Sequence, residues 1–400
     1  MITILHYLAK NKYRLIPIIL GLVVYIFCLV FRLGTLVHGL SSPEIAIAQS
    51  RYGWHGIYNN PLYLPLIVLR SIFFKFASVH TLTILRLPDV VLSVITIITT
   101  SVLLWLWYGY RTGILGSIIF ASNAWVLHVS RLATNNVMFL FVVPFLLLTL
   151  AILHKKFNSI IYVCLICFSW GLILYIPGMI WVVLASLILI KEDLRKMWKA
   201  NAQWYHRALM LLSFLICLPL LLKYLLNIQH LKFWLGLPGH FAKLSVYGKR
   251  FIGVPVHIFV RGPEYSYLWL GRAPILDIFT LTTTLIGIYF YIRHISAFRT
   301  RLLISYAVIG WVLVTLDGAF DLSFLIALAL LVAAAGIGYL LREWLKVFPL
   351  NPFARILGIS LISLLVILSV GYNFRSYYMA WPNSPATHSA YGLSLSPQSH

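Results

Sequence analysis

Apolar runs about 17–25 residues long, the length a helix needs to cross a bilayer, follow one another through most of this chain. No other feature constrains its fold as strongly. Run length and flanking breaks place about 11 of them, at 15–36, 89–108, 113–129, 135–153, 159–175, 178–190, 208–226, 275–292, 302–316, 322–341 and 354–372. Several fall short of full span length, and Tyr175-Ile176-Pro177-Gly178 separates two of them with a turn signal. Hydrophobic residues make up 61% of the 400 and charged residues 10%, more apolar surface than a soluble domain of that size can hide. The fold class is therefore all-α, a polytopic transmembrane helix bundle. It forms one domain over residues 1–372, with long external loops at 37–88 and 227–274 that hold interfacial helices. A tail follows over 373–400, and its Ser- and His-rich stretch from Ala386 reads as disordered.

The formal net charge is +22, from 31 Lys and Arg against 9 Asp and Glu. The basic residues sit mainly between apolar runs, so the partners they suit are membrane lipids and a phosphate-bearing substrate, not nucleic acid. Their distribution also orients the chain. Lys10, Lys12 and Arg14, the cluster from Lys191 to Arg207, and the groups around Arg299 and Lys346 all fall on the cytoplasmic side if the N-terminus does. The expected arrangement is a multi-pass protein of the cell membrane, N-terminus cytoplasmic and C-terminus external. The run from Leu15 to Phe31 is too long for a signal-peptide core and reads as a retained anchor. Cys28, Cys164, Cys167 and Cys217 all lie in apolar runs, as packing residues do.

The first external loop contains Glu44, which has no other acid before it and none after it until Asp89. Ser42-Pro43 reads as a helix start, and Ser41-x-x-Glu44 matches a capping box, so a short helix is predicted from about Pro43 to Tyr52. A polar aromatic stretch follows, with His55, Tyr58, Asn59 and Asn60. Leu62, Leu66, Leu69, Phe73 and Phe76 then recur on one helical face, predicting an interfacial helix from which Arg70 and Lys75 snorkel to headgroups. The third run ends in SNAWVLHVSRLATNN, returning to the external surface at Arg131. The second external loop mixes Gly, Pro and aromatic residues with six basic ones, including Lys243, Lys249, Arg250, Arg261 and Arg272, and predicts short interfacial pieces. Late in the chain, LVAAAGIGYLL offers a small-residue face for close helix packing.

In their order these pieces resemble the GT-C fold of integral-membrane glycosyltransferases, around the protein O-mannosyltransferases and aminoarabinose transferases. Ser42-Pro43-Glu44 is similar to that family's acidic helix start, Arg86-Leu87-Pro88 to its entry to the next span, and Ser130-Arg131 to its Ser-Arg turn. WLGRAPILDIF resembles its return from the large external loop. The resemblance covers most of residues 15–340. It implies inverting transfer of a sugar from a polyprenyl-phosphate-linked donor to a glycan, lipid or protein hydroxyl at the outer face, with a carboxylate as general base. Glu44 matches the place of that base. The chain departs from the pattern by having one acid where a pair is usual, and Asn135 and Asn136 where an acid often follows the Ser-Arg turn.

A hydroxyl acceptor needs its proton removed in the transition state, which a carboxylate within hydrogen-bond reach can do. The same Glu44 has a structural alternative as the cap of its own helix. Arg131, Lys243, Lys249, Arg250, Arg261 and Arg272 are the candidates to hold the lipid phosphate. Candidate sugar- or acceptor-binding residues are His55, Tyr58, Asn59, Asn60, Asn135 and Asn136. Asp317 and Asp321, between the ninth and tenth runs, either line the cavity or face water. A divalent metal would draw on Glu44, His55 and His240 or His257, but hard cations want several carboxylates, so no cofactor is expected. A transporter or flippase of lipid-linked saccharide and a catalytically silent relative are the alternatives. The first is weakened by the lack of any internal or inverted repeat.

Overall fold

The computed structural model describes residues 12–37, 39–49, 61–76, 81–156, 160–200, 203–225, 228–263, 266–268 and 272–392. Among these the chain is helical throughout, with no β-strand. The helices are α1 (Lys12–Val30), α2 (Ser42–Ala48), α3 (Leu64–Phe76), α4 (Leu82–Tyr108), α5 (Tyr110–Ser122), α6 (Ala124–Arg131), α7 (Val137–Lys156), α8 (Ile160–Ile173), α9 (Met179–Leu189) and α10 (Lys191–Ala200). They continue as α11 (Trp204–Phe214), α12 (Leu218–Leu225), α13 (Ile228–Trp234), α14 (Leu244–Phe259), α15 (Ile278–Arg293), α16 (Phe298–Leu316), α17 (Ser323–Val347), α18 (Pro352–Arg375) and α19 (Pro385–Ala390).

Five helical segments are long and apolar enough to cross a membrane, six with the bent pair α5–α6, and five shorter apolar helices accompany them. Each expected run coincides with one of these segments, and the molecule is a multi-pass membrane bundle. Large hydrophobic side chains cover its outside: Ile161, Ile188, Leu211, Ile278 and Ile292 are all more than half exposed. Such a surface is stable only against lipid.

Two boundaries and one side-chain orientation differ from the expectation. α4 begins at Leu82, seven residues before the predicted start, and so carries Arg86 and Asp89 within its first turns. Both charges are tolerated there because each meets a buried counter-charge. Arg70 on α3 does not snorkel; it is 1% exposed and turned inward to Asp89, whereas Lys75 is exposed as expected. The tail is folded through Tyr391, which is 4% exposed, and α19 occupies part of the stretch expected to be disordered.

The elements that build one end of the bundle lock together through backbone approach. Gly178 sits in the left-handed region (φ 76°), its N–H bonded to Trp234 O, and a Cβ there would meet the Phe320 ring at 2.5 Å. In the bundle interior α17 packs along α15 through the small-residue face. A Cβ on Gly336 would lie 1.9 Å from Thr283 O. Gly336→Val should therefore destabilise the protein by at least the roughly 1–3 kcal/mol typical of overpacking. The measurement is the apparent Tm in detergent, with Gly371→Ala, which has open space around it, as the neutral control. An unchanged Tm for Gly336→Val would mean the two helices are not held at this separation.

Candidate functional site

The site end is organised by two ion pairs on the first turns of α4. Arg86 donates Nε to Glu44 Oε1 (2.8 Å) and Nη2 to Glu44 Oε2 (3.2 Å), and its remaining N–H groups reach Leu33 O and Gly39 O. Asp89, three residues on and of opposite charge, accepts from Arg70 Nη2 at 3.0 and 3.1 Å and also from the Thr134 backbone. All four side chains are at most 3% exposed. The turn after α6 is tied to both pairs: Ala133 N–H donates to Glu44 Oε1, while Thr134 O and Asn135 Oδ1 accept from Arg70.

Glu44 thus has a full set of partners. Its Oε2 also accepts from the Ser41 N–H and hydroxyl, closing the capping box predicted from Ser41-x-x-Glu44. A carboxylate that is 0% exposed, and whose two oxygens already accept from Ser41, Arg86 and Ala133, offers little to an incoming hydroxyl.

Arg131 is the opposite case. Asn123 breaks the α5–α6 helix with a 61° bend and caps the new one, its Oδ1 accepting from Trp125 N and Val126 N. The bend swings all of α6 into the protein, where every residue of it is buried. Arg131 consequently lies 2% exposed and not at the surface as expected. One Nη2 bond goes to Phe31 O, and the rings of Tyr377 and Tyr378 face the guanidinium at 5.2 and 5.0 Å. Neither phenol gives Nε or Nη1 a hydrogen bond of normal geometry, and both nitrogens are unpartnered. His128 Nδ1 and the Ser130 hydroxyl on the same helix are unpartnered too. Unpaired buried donors cost about 1–3 kcal/mol each, and more for a charged group. Arg131 is thus the under-partnered donor here; His128, whose Nε2 donates to Tyr267 O, presents Nδ1 as a lone pair, and Ser130 lies against the Tyr25 phenol.

The remaining candidates are dispersed. Lys243 and Lys249 are exposed on or beside α14, Arg250 pairs with Asp317 at 2.6 Å, and Arg261 and Arg272 are exposed beyond it. Among the described residues no ion pair or hydrogen bond joins any of them to Glu44 or Arg131. Asn135 is half-buried and committed to Arg70; Asn136 is half-buried beside it. His55, Tyr58, Asn59 and Asn60 lie outside the described residues. So does any site built on His55, and among the described residues no three His, Cys, Asp or Glu side chains gather as metal ligands. Asp321 is half-buried, one oxygen accepting from Ser323 N at 2.7 Å; burial pushes its carboxyl above the usual range, against the lowering by Ser323. Cavities of about 80 and 100 Å³ lie away from this end, around Trp107 and Arg299 and around Cys167 and Trp170.

Sequence reasoning missed the counter-charges and the C-terminal aromatics. Trp381 packs edge-on against His128 with ring centroids 4.2 Å apart, stacks on Tyr377, and touches Tyr391. The Tyr391 hydroxyl donates to Tyr267 O, which His128 Nε2 also contacts. Burial, and to a lesser degree the nearby Glu44, hold the Tyr391 phenol well above its ordinary pKa. The signal was the aromatic density of NFRSYYMAW, unlike the polar tract that follows it.

No family model and no curated protein matches this sequence. Among solved structures, the chain is similar to ArnT from Cupriavidus metallidurans bound to undecaprenyl phosphate, with TM-score 0.58, 13% identity, and 95% of this chain and 78% of that one covered. It is also similar to the oligosaccharyltransferase AglB from Archaeoglobus fulgidus in complex with an inhibitory peptide and a dolichol-phosphate (TM-score 0.55, 14% identity, 98% and 60% covered). A second structure of the Archaeoglobus fulgidus enzyme, tethered with an acceptor peptide, gives TM-score 0.54 at 14% identity over 98% and 60% of the chains. The shared property is the fold, that of GT-C glycosyltransferases, and this chain spans about 60% of the archaeal enzyme's length.

Arg86→Met should cost about 3–5 kcal/mol by leaving Glu44 charged and alone, and Arg86→Met/Glu44→Gln should recover most of it. Unfolding in detergent measures both; a double variant no more stable than the single would exclude the uncompensated charge as the cause. For Asp321, a raised folded-state pKa means stability that is complete below about pH 4 and declines as pH rises through the folded value. Asp321→Asn should therefore have a higher Tm than the native protein at pH 7 and an equal one at about pH 4. A gain of the same size at both would discard the titration.

Proposed function

We propose that this protein is a membrane glycosyltransferase acting on a polyprenyl-phosphate-linked sugar, with Arg131 as the residue that receives the lipid phosphate. The observation that carries the reading is a fully buried guanidinium with two unpartnered nitrogens, in a fold shared with a transferase that binds undecaprenyl phosphate. In the reaction the acceptor hydroxyl oxygen forms a bond to the anomeric carbon as the bond to the phosphate oxygen breaks, inverting that carbon, and the hydroxyl proton passes to water on the acceptor side. The bonding pair and a growing negative charge pass to the lipid phosphate. A preorganised cation at the departing oxygen stabilises that charge most where water is excluded. Arg131 meets this need, since its planar fork suits phosphate and it carries no carboxylate that would have to be displaced.

The same geometry supports a positioning role for Glu44 in place of the general-base role. It holds Arg86 and the Ala133 turn, and through that turn the C-terminal end of α6. Basic α14, with exposed Leu244, Ile252 and Val260 beside Lys243 and Lys249, suits an interfacial position among anionic headgroups. That orientation, with this end external and the N-terminus cytoplasmic, belongs to the same reading.

The experiment is binding and transfer by the purified protein in lipid nanodiscs. Arg131→Gln should weaken undecaprenyl phosphate binding at least tenfold with Tm equal to or above that of the native protein, and Arg131→Lys should restore part of the binding. Transfer from a panel of polyprenyl-phosphate-linked sugars should fall in parallel. Equal binding by native protein and Arg131→Gln would refute the assignment.

A further inference from the structure

We infer that residues 376–391 form an autoinhibitory strap, closed over Arg131 in this structure, that must lift before the cationic site can receive a phosphate. The inference rests on the reading of Arg131 given above and adds a regulatory element to it.

Three observations support it. First, the strap covers the site without satisfying it. Tyr377, Trp381, Thr387 and Tyr391 are each at most 4% exposed and bury His128 and Arg131, yet Arg131 Nε and Nη1, His128 Nδ1 and Ser130 Oγ stay unpartnered beneath them. Trp381 Nε1 and Thr387 Oγ1, on the strap itself, are unpartnered as well. A segment selected only to complete the fold would bring a carboxylate or carbonyls to each guanidinium nitrogen; this one brings two phenols, which contact Arg131 but leave Nε and Nη1 without a hydrogen-bond partner. The phenols occupy the space in which phosphate oxygens would accept from Arg131.

Second, the strap is attached in a way that allows it to leave as a unit. The backbone hydrogen bonds of Trp381 to Tyr391 close within the strap: Trp381 N to Ser376 O, Ser384 N to Trp381 O, Thr387 N to Ser384 O and Tyr391 N to Thr387 O. Its ties to the bundle are made by side chains, the Tyr391 hydroxyl to Tyr267 O, the Tyr378 hydroxyl to Cys28 O, and the rings on His128 and Arg131. Lifting it unwinds the π-helical last turn of the continuous helix Pro352–Ala380, where Ser376 N–H is bonded to Tyr372 O and Asn373 O, and beyond Ala380 it breaks only side-chain ties to the core. Its other side is open, with Met379, Asn383, His388 and Ser389 exposed.

Third, the chain turns from α18 into the strap through a π-helical turn, Ser376–Ala380. π-turns are rare and occur frequently at functional sites. The π turn lies directly at Tyr377 and Tyr378, the two rings on Arg131, so its unwinding would carry both away from the guanidinium.

A ligand that binds only the open form has its apparent affinity reduced by the open fraction. In nanodiscs, Trp381→Ala should bind undecaprenyl phosphate at least tenfold more tightly than the native protein, and Trp381→Ala/Arg131→Gln should lose that gain. In the native full chain, saturating undecaprenyl phosphate should raise hydrogen exchange across 376–391. This second readout needs no variant and decides the matter if Trp381→Ala does not fold. Lipid that binds through Arg131 with exchange in the strap unchanged or lowered overturns the strap and leaves the site intact. Binding insensitive to Arg131→Gln removes the site, and the strap with it.

Discussion

The site end depends on a polarity reversal within four residues of α4. Arg86 and Asp89 point to separate partners, Glu44 on α2 and Arg70 on α3, so one helix anchors both pieces of the first long loop. In a protein interior neither charge is tolerable alone, and the loss of one partner strands the other at a cost of about 3–5 kcal/mol. Two such pairs on one helix fix the rotation of α4 and the seats of α2 and α3 together. The turn at Ala133–Asn135 is held to both pairs, and it directly follows α6. The position of Arg131 is thus inherited from an ion-pair frame in which it takes no part.

That frame explains how the protein can maintain an incompletely partnered cation. Arg70 and Arg86 have carboxylates, and Asp277, without a cation, is satisfied by Thr280, Ser369 and Asn373. Arg131 has one carbonyl and the rings and phenols of Tyr377 and Tyr378, with no carboxylate. Cation–π contacts contribute roughly 0.5–2 kcal/mol, well short of a charge pair's hydrogen bonds, so the deficit is borne by the rest of the bundle. Preorganised charge of this kind is what the proposed site for a departing phosphate requires.

Much of this was legible in the sequence. Apolar length alone located the spans, because a bilayer admits few solutions for an unpaired backbone. The capping box at Ser41–Glu44 was readable since it depends on residues three apart. The turn at Pro177-Gly178 and the close-packing face around Gly336 were equally local signals. Arg131 stood out through a resemblance, though its burial did not: a Ser-Arg after an apolar run reads as a helix end at the surface. Nothing local reports that Asn123 bends the helix inward to satisfy Ile275 O and share a cap with Asn373.

The sequence by itself determined the class of solvent, the succession of helices and the few residues with charge to contribute, since these follow from composition and short-range periodicity. Tertiary structure decided which of those charges are consumed and which are left. Arg86 lies 42 residues from Glu44, Asp89 lies 19 from Arg70, and Tyr377 lies far along the chain from the Arg131 it covers. Pairing over such separations depends on how whole helices pack, and no spacing rule encodes it. Glu44 was conspicuous as a lone acid and proved fully partnered; Arg131, one basic residue among many, proved to be, among the described residues, the one cation buried without a counter-charge. The physical reason is the same for both, because in a low-dielectric interior a charge is defined by its neighbours more than by its type.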